Sequence, residues 1–249
     1  MKPKYWVPAI ERAHEVLSCI AKQPSQLRLI DLVNETGINK STMFSLLHTL
    51  ETLEWIKREK GDTYKLGATL GYLGNIYFAS MDVVQLFMEH APEIVSHVGE
   101  TMQLARLEGE HIVYLAKQEA PSPVRLLSEP GRRIPAYATS LGKVLLACLD
   151  EKEVRMLYQD HAFVPLTSKT VKHIDELLHQ LEQIRLQGYA LDEKEVAAGF
   201  CCIAAPIIDR FGREIAAVSF SIPSEQWEMK RELAHEEIIR MAQKLSGLV

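Results

Sequence analysis

The chain has 249 residues, of which 47% are hydrophobic and 24% charged, and a formal net charge of −5. That balance fits one or two globular domains with cores of their own and excludes collagenous, low-complexity and disordered classes. No run approaches the roughly 18 apolar residues of a membrane span. Four cysteines without CxxC or CxxH spacing, and nine scattered histidines, build neither a disulfide framework nor a metal site, so no metal or cofactor is expected. The first residues lead into a charged amphipathic helix and not a secretory core, so a cytoplasmic protein is expected.

The first predicted helix runs from about Pro8 to Lys22, buries Ile10, Ala13, Leu17 and Ile20, and ends before Pro24. A second helix carries Leu29, Leu32 and Val33 on its apolar face. Gly37 supplies a permissive backbone for a tight turn, and Asn39 is a good N-cap. In the third helix Met43, Leu46, Leu47, Leu50 and Leu53 follow the spacing of a buried stripe. Its other side carries Lys40, Ser41, Thr42, Ser45, His48, Thr49 and Thr52. Short hydroxyls with a Lys and a His suit a helix lying in the major groove. An amphipathic helix with a solvated polar face accounts for the same pattern.

A hairpin follows. Ile56, Tyr64 and Leu66 fit core-facing strand positions, and Gly61-Asp62 supplies the turn. Lys57, Arg58, Lys60 and Lys65 cluster there, where a wing can touch phosphates. Residues 1–66 hold ten Lys/Arg against eight Asp/Glu, so the chain's excess acid lies in the remainder. The sign favours double-stranded DNA as a partner of the N-terminal end. The next segment predicts a linker helix with an apolar stripe, Leu70, Leu73, Ile76 and Tyr77, whose partner is either its own domain or the same helix of another subunit.

From Asp82 the pattern is α+β. A helix is predicted over Val83–Val98, strands over Met102–Leu107 and Ile112–Lys117 around the turn Glu108–Glu110, and a loop-rich crossing at Pro121, Pro123, Pro130 and Pro135. Helices follow near Leu141–Cys148, Lys152–Tyr158 and Ile174–Gln187. Strands Ile203–Ile208 and Ile215–Ile222 flank the turn Asp209–Gly212, and a last helix covers Met229–Leu245. Hairpin-joined strands with helices on one side predict an antiparallel sheet.

A ligand site is predicted where Ala138-Thr139-Ser140-Leu141-Gly142 enters a helix. Backbone N–H groups there are unpaired and suit a carboxylate. Ser140 can add its hydroxyl or simply cap its helix, and Gly142 allows close approach. Ser219 and Ser221, two apart on a strand, face one side. Cys201 and Cys202 face opposite sides as packing or ligand-lining residues. Asp192, beside Glu193 and Glu195, reads either as an acceptor for a ligand hydroxyl or as part of a solvated turn. No nucleophile elbow, HExxH, P-loop or dinucleotide fingerprint is present, so an enzyme is not expected.

Four segments carry a resemblance. They are Gly131-Arg132-Arg133-Ile134-Pro135 running into Ala138–Ala147 with Gly142-Lys143; Gly188-Tyr189-Ala190 with Asp192–Glu195 and Gly199–Pro206; Asp209–Gly212 with Ser219–Pro223; and Ser41–Leu47. In this order the chain resembles the IclR family of bacterial transcription regulators over nearly its full length. The resemblance implies a winged helix-turn-helix domain over 1–67, a linker helix over 68–81 and a GAF-like α+β domain with an antiparallel sheet over 82–249. It implies a homodimer or homotetramer whose DNA affinity or assembly is switched by a small organic acid or related metabolite. Repression of a metabolic operon is expected over activation, because a dimer seated on a promoter blocks polymerase without further contacts. Ligand positions carried over are Leu126, Ile134, Ser140, Leu141, Asp192, Phe200, Cys202, Ser219 and Ser221. The chain departs from the family where Ser45 replaces a common Arg, Trp55 a common Gly, and Arg28 a capping Thr or Ser. The rival readings are a sensor module that binds a protein partner and a small-acid hydrolase on the second domain.

Overall fold

The computed structural model describes residues 5–79, 82–122 and 126–249. They form two compact units, Met1–Tyr77 and Phe78–Val249. The first contains helices α1 (Pro8–Lys22), α2 (Leu29–Thr36) and α3 (Lys40–Thr52), strands β1 (Ile56–Arg58) and β2 (Tyr64–Leu66), and most of helix α4 (Ala68–Ala79).

The inter-helix turn follows the sequence: Gly37 sits at φ +68°, and Asn39 caps α3 by accepting the Thr42 N–H at 2.9 Å. Ile20, Leu32, Met43, Leu47, Leu50 and Ile56 close over one core. Full burial of each such side chain contributes about 1.5–3 kcal/mol. Three expectations fail at the edges of this core. Ile10 is 65% exposed, because the α1 stripe is Ala13, Val16 and Ile20, one phase over. Leu53 lies past the end of α3 and is exposed, and Leu66 is exposed at the mouth of the wing.

The wing pairs antiparallel, with Lys57 directly opposite Lys65. Gly61 (φ +91°) and Asp62 (φ +63°) take the left-handed backbone of the turn. Residues before α2 extend this sheet: Ser25 N–H donates to Tyr64 O, Tyr64 N–H to Leu27 O, and Arg28 bridges Thr63. The wing is thereby pinned to the start of the helix-turn-helix.

The second unit contains α5 (Asp82–Val98), β3 (Thr101–Glu108), β4 (His111–Gln118), β5 (Arg133–Pro135), a 3₁₀ turn (Ala136–Ala138), α6 (Ser140–Leu146), α7 (Glu151–Tyr158), α8 (Ile174–Gln187), β6 (Ala190–Glu193), β7 (Phe200–Ile208), β8 (Glu214–Pro223) and α9 (Trp227–Ser246). One antiparallel sheet has the order β5-β4-β3-β8-β7-β6. Helices cover both of its faces, contrary to the one-sided arrangement expected. Leu104, Val218, Phe220 and Ile222 pack with α5 and α9, whereas Ala105, Ala204 and Ala217 pack with α6 and α8. Strands apolar on both faces carry no alternation from which a second layer could be read. The edge strands β5 and β6 were also not predicted, being only three and four residues long. Pro123 lies outside the described residues.

Candidate DNA interface and effector site

On α3, Lys40, Ser41, Ser45, His48 and Thr49 are exposed and Thr42 is half-buried, on the side away from Met43, Leu47 and Leu50. Several hydroxyls have parked their hydrogens. Ser41 donates to Asn39 Oδ1 (2.8 Å), Ser45 to Ser41 O (3.2 Å) and Thr49 to Ser45 O (2.9 Å). Their lone pairs therefore point outward as acceptors for base amino groups, and a phosphate contact requires the hydroxyl to rotate.

The wing cations divide into two kinds. Arg58 binds Asp62 at 2.7 Å, and Lys65 pairs with Glu59. Lys57 and Lys60 have no ion pair among the described residues. The cross-strand pairing of Lys57 with Lys65 is repulsive, and Glu59 relieves only one side of it. A phosphate beside Lys57 would relieve the other.

Of the departures from the family pattern, the structure accounts for Arg28. Arg28 precedes α2 with no acceptor to offer, and Asp31 compensates by taking the Arg28 N–H at 2.9 Å. Beside Trp55, Glu54 adopts the left-handed backbone (φ +57°). A Cβ on Gly67 would lie 2.0 Å from Glu54 O.

In the second unit, register places the predicted residues in two rows on the α6 face of the sheet. Asp192 pairs with Cys202, Cys202 with Ser221, and Ser221 with Thr101; Gln103 pairs with Ser219, and Ser219 with Ala204. Asp192, Cys202, Ser219, Ser221 and Gln103 are all buried. Ser219 and Ser221 both donate to Gln103 Oε1, at 3.1 and 3.2 Å. Gln103 Nε2 donates to Ser128 (3.5 Å), which donates to Leu126 O (3.4 Å). Leu126 is half-buried, and Phe200 and Ile134 are buried.

Gln103 and Ser128 escaped the sequence analysis. The only available signal was a glutamine inside an otherwise apolar strand core, Met102–Ala105.

Ser140 and Leu141 are buried at the start of α6, but Ser140 is not the cap. Thr139 is, accepting the Gly142 N–H at 2.9 Å. Gly142 does permit a close approach, but by the protein itself: a Cβ there would lie 2.2 Å from Ala136 O. Its N–H and its missing side chain are both committed to the fold.

The acidic segment is a solvated turn only at Glu193 and Lys194, which are exposed. Asp192 is fully buried in β6, and its Oδ1 accepts the Glu195 N–H at 2.6 Å. Glu195 pairs with Lys143, an almost wholly buried lysine on α6. Thr170 Oγ1 donates to Glu195 O at 2.7 Å. Asp192 Oδ2 and Glu195 Oε2 have no hydrogen-bond partner among the described residues. Burial pushes the Asp192 carboxyl up to about 7, aided by the Glu195 charge and opposed by the Glu195 N–H and by Lys143. Burial also raises Glu195, against the pull of Lys143.

A carboxyl raised above its unfolded value of about 3.9 favours the protonated fold. Its contribution is complete below that value and is lost as pH rises through about 7. The melting temperature is therefore expected to fall between pH 5 and pH 8, and that slope to be reduced by Asp192→Asn. An unchanged slope in Asp192→Asn would contradict this.

A winged helix-turn-helix followed in the chain by a separate α+β domain with a buried polar patch defines a DNA-binding protein with a small-molecule sensor domain. The comparisons agree. Residues 9–60 match the IclR helix-turn-helix domain, and residues 75–247 match the C-terminal domain of the bacterial transcriptional regulator IclR. The chain is 34% identical to the transcriptional regulator XynR of Escherichia coli K12 over 86% of each chain. It is 28% identical to the transcriptional repressor AllR of the same strain, over 93% of this chain and 86% of that protein. The crystal structure of Thermotoga maritima IclR superposes with a TM-score of 0.75 at 27% identity, covering 96% of this chain and 99% of that one. The chain belongs to the IclR family: it is a ligand-responsive, DNA-binding transcriptional regulator and not an enzyme.

Proposed function

We propose that the protein represses its target promoter and that a small hydroxylated carboxylic acid, bound between the start of α6 and the Ser219/Ser221 face of the sheet, switches its DNA affinity. The carrying observation is the hydrogen-bond polarity of that face. Both serine hydrogens are spent on Gln103, and Asp192 keeps a buried oxygen without a partner. A ligand therefore meets the serine lone pairs there, joined by Asp192 as an acceptor once that carboxyl ionises at about 7, and brings donors, namely hydroxyls. A carboxylate turned toward ionised Asp192 would be repelled. Its place is at the N–H groups of Ser140 and Leu141, which have no acceptor within the helix. Leu126, Ile134, Leu141 and Phe200 supply apolar walls, and Cys202 fills the row between Asp192 and Ser221. Gly142 shapes this end of the site without touching the ligand. Repression is favoured because a protein seated on a promoter blocks polymerase without further contacts, and the relative AllR is a repressor.

The test is calorimetry against sugar acids, keto acids and aromatic acids, followed by DNA titration. The ligand is expected to change DNA affinity by about 5–150-fold, and DNA to change ligand affinity by the same factor. Ser140→Trp is expected to abolish the response and leave ligand-free DNA binding intact. A releasing acid that binds Ser140→Trp as tightly as wild type would place the site elsewhere.

We further propose an assembly of two or four subunits through the linker helix, with domain limits at 1–67, 68–81 and 82–249. Residues 80 and 81 lie outside the described structure, as does the Phe78 side chain. Tyr72, Leu73, Ile76 and Tyr77 expose 41–66% of their surface along α4, and Ile10 adds a further exposed apolar residue in the same unit. Half-sites are then expected about one helical turn, or a small multiple, apart. A monomer at micromolar concentration with full operator affinity, seen by sedimentation, would refute this. No described helix is long and apolar enough to cross a membrane, and we place the protein in the cytoplasm, where its DNA is.

A further inference from the structure

Helix α3 exposes one aromatic side chain, Phe44, to 65% of its surface. The core stripe of the helix is complete without it, since Met43, Leu47 and Leu50 are all buried. Helical spacing puts Phe44 on a ridge with Lys40 and His48, four residues to either side, and next to Ser41 three residues before. This is the N-terminal part of the helix, the part of a recognition helix that reaches base edges.

The surroundings narrow the choice of occupant. A Lys and a His on the same ridge suit a surface that offers phosphates at its rim, whereas the core of a protein interface is depleted of charge. The major groove offers that rim, and on its floor it has one apolar feature, the C5-methyl group of thymine. The exposed face of α3 also contains no Arg, Asn or Gln. Apart from Lys40, which can reach guanine, it therefore lacks the side chains that bind guanine or adenine in two-pronged fashion. Short hydroxyls, one Lys, one His, one ring and, near the C-terminal end, Glu51 remain.

We infer that Phe44 is a specificity-determining residue that packs its ring on the C5-methyl group of one thymine in each half-site. This rests on the DNA-binding role of α3. The test uses the full-length protein and a duplex selected by the wild type from a random library. Each thymine is replaced in turn by deoxyuridine, which removes only the methyl group. One position per half-site is expected to lose about fourfold in affinity, the value of one buried methyl. Phe44→Ala is expected to bind the thymine duplex about fourfold or more weakly and to become indifferent to deoxyuridine at that position alone. Phe44→Leu is expected to keep part of the discrimination.

Because Phe44 is exposed, both variants should keep the wild-type circular dichroism. Wild-type affinity and an unchanged deoxyuridine profile in Phe44→Ala would overturn the inference while leaving DNA binding intact. So would a changed sedimentation coefficient with the profile preserved, which would assign Phe44 to a subunit contact. If the wild type enriches no sequence, the DNA-binding role of α3 fails, and the inference falls with it.

Discussion

Lys143→Met is expected to lower the stability of the second domain by about 3–5 kcal/mol, the usual cost of removing one partner from a buried ion pair. For a domain of this size that is a melting temperature roughly 6–20 °C lower. The reason is local. Lys143 is 1% exposed, and its ammonium is the only cation paired with Glu195 among the described residues; Glu195 is itself largely buried beside Asp192. Without Lys143 the buried contact between α6 and the β6–β7 connection holds two carboxyls, each with an oxygen that has no hydrogen-bond partner among the described residues. Glu195 must then ionise without compensation or take up a proton. The loss should therefore be smaller at pH 5 than at pH 8. Adding Glu195→Gln should recover much of it, because the uncompensated charge goes while the size stays. Equal stability of Lys143→Met and wild type at pH 8 would show that the pair is not the link between α6 and the β6–β7 connection.

Replacing Thr42, Ser45 and His48 together by Ala is expected to weaken operator binding about 10²–10⁶-fold. Each good base contact is worth about 1–3 kcal/mol, and these three side chains sit on one exposed face of α3. The wing should behave differently. Lys57→Ala and Lys60→Ala should weaken all sequences alike and flatten the salt dependence by about one for each phosphate no longer neutralised. Arg58→Ala and Lys65→Ala should do less, because each cation must first leave an acid, Asp62 or Glu59. Fluorescence anisotropy over a salt series separates the two kinds. A steep salt effect from the α3 variant, or a sequence-dependent one from the wing variants, would reverse the assignment.

The first domain was legible because its signals are local. Gly37, Asn39 and the Gly61-Asp62 turn each act within a few residues, and each does in the structure what its chemistry requires. The sheet domain was legible as strands and helices but not as layers. Its central strands are apolar on both faces, so nothing in β7 or β8 distinguishes one covering helix from two. The proposed effector face was half legible. Ser219 and Ser221 stand out by their two-residue spacing, whereas Gln103 joins them from a strand more than a hundred residues earlier. Asp192 and Glu195 look like a surface turn in sequence because their burial depends on Lys143, about fifty residues away on α6. Ser140 looked like a cap because Thr139, one residue earlier, serves equally well. Phe44 was passed over because an aromatic residue on a polar helix face matches neither the core stripe nor the hydrogen-bonding pattern of a groove reader.

On the proposed function, α3 reads DNA and a small acid bound in the second domain controls it. Footprinting of the full-length protein on its selected operator, with and without the acid found by calorimetry, tests this most directly. The expected result is protection of two half-sites by wild type, altered 5–150-fold in its concentration dependence by the acid, and absent in the Thr42/Ser45/His48 triple alanine variant. Unchanged protection by that variant, or a wild-type footprint indifferent to every acid that binds, would contradict it.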